Sequence, residues 1–138
     1  MILVPVAAGE LVDKITILEI KRDRISDPAR TANVIRELEA LRKVADAVFG
    51  TTQAHVGLQA NLKAVNELLW DIENAKRQHE AEQRFDAEFI QLARNVYIFN
   101  DRRAAIKREI NMLLGSEIVE EKVHPTYSVA ALAGAASN

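Results

Sequence analysis

Apolar residues recur along most of this chain at intervals of three and four, the spacing that lines one face of an α-helix. The longest stripe is Phe85, Phe89, Leu92, Val96, Phe99, Ile106, Ile110 and Leu113. It has one break: four positions beyond Phe99 the stripe meets Arg103. A cation on the packing face of a helix requires an anionic partner, a water-filled cleft or a bound anion. Arg103 is therefore the first candidate for a functional residue.

Three further stripes precede that one. Residues 2–6 are expected to be extended, because Pro5 disfavours helix at Val4. Gly9 is expected to cap a first helix over residues 10–25, with Glu10 at its positive end. Leu11, Ile15, Leu18, Arg22 and Ile25 form its stripe, widened by Ile17 and Ile20. Asp27 as N-cap and Pro28 at the first helical position start a second helix that runs to Phe49. Its stripe is Val34, Leu38, Leu41, Ala45 and Val48, and Gly50 ends it. Thr51 or Thr52 is expected to cap a third helix carrying Leu58, Leu62, Val65, Leu69 and Ile72, with Gly57 weakening its first turn. Lys76 to Arg84 carries no stripe, and Ile72 and Phe85 stand thirteen positions apart, not a whole number of heptads. That slip predicts a turn near residues 83–86 with Asp86 capping a fourth helix, against the competing reading of one continuous helix. Gly115 ends the fourth helix, and residues 116–127 read as a turn and an extended strap. The expected architecture is all-α: an antiparallel bundle of about four helices in one domain over residues 1–127. An Ala- and Ser-rich tail follows over residues 128–138.

Composition narrows the function. The chain has 138 residues, 49% of them apolar and 28% charged, which suits a single globular domain with a core. A formal net charge of −2 supplies no general attraction to nucleic acid or acidic membranes. Absence of cysteine excludes disulfides, thiolate metal sites and a cysteine nucleophile, and fits a reducing cytoplasm. The apolar Met1–Ala8 is short, lacks a basic flank and runs into Glu10 and Asp13, so a signal peptide is not expected. No apolar run approaches the roughly 20 residues that span a bilayer. The acid-first pairs Glu10/Lys14, Glu39/Lys43, Glu73/Arg77 and Glu80/Arg84 mark solvated helix faces.

Two segments have a distinctive texture. One is Glu10-Leu11-Val12-Asp13-Lys14-Ile15-Thr16 within Val4–Lys21. The other is Asn100-Asp101-Arg102-Arg103-Ala104-Ala105-Ile106-Lys107-Arg108, preceded by Phe89–Tyr97 and followed by Glu120-Glu121-Lys122. Together they resemble an uncharacterised bacterial family of small helical proteins, a domain of unknown function, over most of residues 2–127. The chain departs from that pattern at Ala7-Ala8, where similar proteins place a serine before the glycine. It departs again at Asp86-Ala87, where they tend to have a glycine. The resemblance implies a single helical domain and no particular reaction.

The chemistry concentrates on the fourth helix. Asn100, Arg103, Lys107 and Asn111 share one line, and Arg94, Tyr97, Asp101 and Arg108 a neighbouring one. As an anion site, Arg103 would fork onto a carboxylate or phosphate, with Lys107 and Arg94 assisting and Asp13, Tyr97, Asn100, Asp101 and Asn111 in support. As a structural feature, Arg103 would pair with Asp13 or Glu19 of the first helix, and this internal pair is favoured because polar networks inside helical bundles are usually structural. Asp13 could alternatively act as a general base. Trp70 reads either as core filling or as an anchor for a partner. His55, His79 and His124 are widely separated, and His79-Glu80-Ala81-Glu82 lacks the paired histidines of a helical zinc site, so no metal and no cofactor is expected. Phosphate-loop, dinucleotide and nucleophile-elbow motifs are absent. The leading expectation is a non-enzymatic module that binds itself or another protein. The alternative is a small-anion binder or enzyme centred on Arg103 and Lys107. Nucleic acid is the least favoured partner, since the chain lacks a broad basic surface.

Overall fold

A computed structural model of the protein describes residues 1–128. Four helices follow one another: α1 (Ala8–Arg24), α2 (Pro28–Phe49), α3 (Val56–Ala81) and α4 (Ala87–Leu113). Among the described residues there is no strand, and the all-α bundle expected from the stripes is what forms. The expected tail lies almost wholly outside the described residues.

Several boundaries follow from local chemistry. The Asp27 carboxylate accepts from the Arg30 N–H at 2.8 Å, and Pro28 occupies the first turn, where a missing N–H costs nothing. The Asp86 carboxylate accepts from the Phe89 N–H at 3.0 Å, so α3 and α4 are separate helices with a turn between them. Gly50 and Gly115 take positive φ of 62° and 65°, which a Cβ would oppose. At Gly115 the Ser116 N–H reaches the Asn111 carbonyl at 2.8 Å and the Gly115 N–H the Met112 carbonyl at 3.4 Å, a Schellman closure.

Two caps differ from expectation. Helix α3 starts at Val56 behind His55, with no side-chain cap; the Thr52 hydroxyl instead accepts from the Ala54 N–H inside the preceding loop. Helix α1 starts at Ala8 behind Ala7, also without a side-chain cap of its own. Gly9 is inside the helix, not its cap, for a reason that emerges at the site.

Helix α1 is the hub. Its Leu11, Ile15 and Leu18 pack on Leu38 of α2, with Val34, Leu41, Ala45 and Phe49 around them. Its Val12 turns the other way, onto Leu62 of α3 and Ile110 of α4, bordered by Leu58, Ile106 and Leu114. Helix α2 packs chiefly on α1 and buries only Leu38 fully; Val48, expected on its stripe, is 68% exposed, and Phe49 packs in its place. Along the long α4 stripe Ile110 is fully buried, Phe89, Leu92, Val96, Phe99 and Ile106 are half-buried, and the ends Phe85 and Leu113 are exposed. The same helix buries Lys107 and Asn111 beside Ile98 and Ile110. None of the four acid-first pairs closes among the described residues: Glu10 reaches Lys107 at 2.6 Å and Lys14 reaches Glu37 at 3.1 Å, each on another helix, while Glu73 turns to Lys76 at 3.4 Å and Arg84 to Glu82 at 3.3 Å.

Candidate functional site

The first two turns of α1 cross the C-terminal half of α4, and glycine makes the crossing possible. A Cβ on Gly9 would collide with the Lys107 backbone carbonyl and come within 2.8 Å of Asn111 Oδ1. With hydrogen there instead, the Gly9 N–H donates to Asn111 Oδ1 at 2.6 Å and the Ala8 N–H to the Ser116 hydroxyl at 3.2 Å. These are two of the donors a helix N-terminus leaves unmatched. Helix α1 is therefore capped from α4 and its C-terminal turn, about a hundred residues away in sequence, as the separations of 102 and 108 show. Asn111 serves as this cap, a different role from an anion contact.

One turn deeper lies a buried polar network. Asp13 is 1% exposed, and Thr16 and Asn66 are buried beside it. Arg103 forks onto its carboxylate, Nε donating to Oδ1 at 2.9 Å and Nη2 to Oδ2. The Asn66 amide donates to Asp13 Oδ1 and to the Thr16 hydroxyl, both at 2.9 Å. The Thr16 hydroxyl donates in turn to the Asp13 carbonyl at 2.8 Å. A buried carboxylate is tolerated only when paired and saturated with donors, and that is its state here. The hydrogen bond to Asp13 raises the Arg103 pKa further above its ordinary range. Glu19, the other carboxylate considered for Arg103, instead bridges Arg42 of α2 at 2.7 Å and Lys63 of α3 at 3.4 Å.

Lys107 stands one turn beyond Arg103. Its ammonium meets Glu10 at 2.6 Å and Glu120 of the strap at 3.4 Å. Burial alone would lower its pKa; the Glu10 hydrogen bond and the charges of Asp13, Glu10 and Glu120 outweigh that and raise it. Glu120 is held below its ordinary range, first by Lys122 and then by Lys107.

The strap folds back along α4. Glu121 lies 3.6 Å from Arg108, the Tyr127 hydroxyl donates to Asp101, and the Tyr127 ring meets Tyr97 edge-on at 5.1 Å. The Asp101 contact pushes the Tyr127 phenol up to about 12. Between strap and helix lies a cleft of about 690 Å³. Arg103, Lys107, Lys122, Asn100 and Asp101 supply polar lining, and Tyr97, Tyr127, Val96 and Pro125 apolar lining. A second cavity of about 400 Å³ opens between α1, α3 and α4, where Trp70, Ile17 and Leu69 face Arg77, Asn100 and Arg103. Trp70 is half-buried there, with the Arg24 guanidinium 6.0 Å from its ring.

The structure thus gathers Asp13, Tyr97, Asn100, Asp101, Arg103 and Lys107 around one cleft and its floor. Arg94 stands apart: among the described residues it makes no hydrogen bond or ion pair and does not line the cleft. Nine positions from Arg103, it lies about 13 Å farther along the helix axis. Two participants escaped the sequence reading. Asn66 was legible in principle, as the polar residue one turn after Leu62 on the α3 stripe. Ser116 carried no local signal.

Residues 2–134 match the Family of unknown function (DUF6165). The chain belongs to this family. No curated protein and no solved structure matches it. No helix among the described residues is long and apolar enough to cross a membrane.

Proposed function

We propose that the protein binds a small molecule carrying a carboxylate or phosphate and an apolar body, in the cleft between α4 and the strap. The supporting observation is the cleft itself. At about 690 Å³ it lies in the ordinary range of ligand sites, and its lining combines Arg103, Lys107 and Lys122 with Tyr97 and Tyr127. Asp13 holds the Arg103 fork in place through Nε and Nη2, and Nη1 makes no hydrogen bond among the described residues. An Arg locked from behind offers its remaining N–H groups with little further loss of side-chain freedom. Each cleft cation already has a carboxylate near it, so the reading favours a ligand of low net charge over a polyphosphate.

The test is thermal unfolding of the purified protein against a panel of phosphates, sugar phosphates and aromatic carboxylates. Asn100→Ala and Lys122→Ala, both exposed, are the comparison variants. Stabilisation by a panel member that both variants lose, with their own unfolding unchanged, is the expected result. A panel that shifts nothing sinks this reading.

A second reading, an association module, draws on α2. That helix packs chiefly on α1 and leaves Ile35, Val44 and Val48 exposed. Light scattering of a strict monomer at high concentration would count against self-association.

A further inference from the structure

Far from the cleft, the turn joining α3 to α4 gathers a second constellation. His79, near the end of α3, is 3% exposed although its neighbours in sequence are polar. Its Nδ1 lies 2.9 Å from the Ala75 carbonyl oxygen. A carbonyl can only accept, so Nδ1 carries the proton, and Nε2 of the neutral ring presents a lone pair outward. Nε2 lies 3.7 Å from Glu88 Oε2 and 3.7 Å from Asp86 Oδ1, the oxygen that also caps α4, and its lone pair is met by Arg84 Nη2 at 3.1 Å. Phe89 flanks the imidazole at 6.1 Å, and Phe85 packs edge-on against Phe89 at 5.3 Å.

We propose that His79, Asp86 and Glu88 form a binding site for a divalent transition-metal ion of the zinc class. A tetrahedral ion with bonds of about 2.1 Å sets its ligand atoms about 3.4 Å apart. The observed 3.7 Å separations need only small side-chain adjustments to match. All three ligand atoms already lie within 4.8 Å of one another. The hydrogen bond from His79 Nδ1 to a backbone carbonyl is the support that fixes tautomer and ring orientation in metal-bound histidines. One imidazole with two carboxylates suits zinc, cobalt or nickel better than calcium or magnesium, which prefer all-oxygen shells. Three protein ligands leave a fourth position for water or an external ligand.

The position of Arg84 strengthens the argument. Its guanidinium now stands where a cation belongs, with Nη2 3.1 Å from His79 Nε2 and Nε 3.8 Å from Asp86. Nη1 is 3.9 Å from Glu88, so neither carboxylate is hydrogen-bonded to it. The side chain is 46% exposed, and its Nε already lies 3.3 Å from Glu82, which can retain it once it swings outward. Arg84 is thus a competing cation, and removing it should favour the metal. A purely structural arginine predicts no such gain.

The experiment titrates the purified full chain with Co²⁺, following the visible absorption of the bound ion, then displaces it with Zn²⁺. Arg84→Gln should bind Co²⁺ roughly tenfold or more tightly than the unmodified protein, since it frees the His79 lone pair and removes a competing positive charge beside both carboxylates. Glu88→Gln, at a side chain 65% exposed, should keep the helical circular dichroism and lose about tenfold or more in affinity. His79→Gln should abolish the nitrogen-ligand signature, with folding checked by the same spectrum. The proposal is overturned if neither the unmodified protein nor Arg84→Gln binds Co²⁺. It is equally overturned if binding persists unchanged in both Glu88→Gln and His79→Gln, which would place the ion elsewhere.

Discussion

Arg103 shows how one residue can carry two roles. It interrupts an apolar stripe, and the interruption is repaired by Asp13, whose carboxylate is almost wholly removed from water. Breaking such a pair from one side leaves an unpaired charge, which commonly costs about 3–5 kcal/mol. Arg103→Met should therefore lower the denaturation midpoint sharply. Asp13→Leu combined with Arg103→Met should recover much of that loss, because an apolar pair of similar volume needs no desolvated charge. Urea unfolding of the two variants decides the matter. A single Arg103→Met variant as stable as the unmodified protein would show that Asp13 does not need its partner. Asn66 and Thr16 belong to the same network, so their effects would not add independently to that of Arg103.

Among the elements, α1 depends most on its neighbours. Its own sequence supplies no N-cap at Ala7, and Asn111 and Ser116 cap it from the far side of the core. Gly9 is the condition for that arrangement, since a methyl group there meets backbone that cannot turn aside. Gly9→Ala would improve intrinsic helix propensity by up to about 1 kcal/mol. The collision with the Lys107 carbonyl should outweigh this and destabilise the protein by about 1–3 kcal/mol. Thermal unfolding of Gly9→Ala gives the sign directly, and a rise in midpoint would mean that α1 and α4 do not approach as described. Asp27 and Asp86 work the other way: their caps are local, bonding N–H groups three residues on, so those helix starts were legible from the chain alone. The same locality explains Gly50 and Gly115.

In the whole molecule, the strap couples the C-terminal part of the described chain to α4, and pH should govern that coupling. Tyr127 titrates at about 12 in the folded state against an ordinary value of 10.0. A raised pKa contributes stability that is complete below about 10 and lost as pH rises through about 12. Glu120 is lowered from 4.5, first by Lys122 of the strap itself and then by Lys107 of α4; the Lys107 part bears on docking, is complete above 4.5 and disappears as pH falls through the lowered value. The strap should thus be held best between these limits. Tyrosinate absorbance should show a phenol titrating toward about 12 that returns to the ordinary range in Asp101→Asn. If no phenol of the unmodified protein titrates above the ordinary range, Tyr127 does not dock on Asp101.

Periodicity and caps act over three or four residues, so the chain alone determined the number of helices, most of their ends, the turn at residues 83–86 and the special standing of Arg103. Which groups meet across the core is set by how the helices lie against one another. Asp13 and Arg103 are separated by 90 positions, and nothing within either segment distinguishes Asp13 from Glu19 as the partner. Asn66, Ser116 and the role of Gly9 belong to the same class. So does the cluster of His79 with Asp86 and Glu88, whose spacing along the chain matches no helical metal motif until the turn folds it together. Tertiary structure decided these because hydrogen bonds and ion pairs require contact within a few ångströms, and only the packed helices bring such distant groups that close.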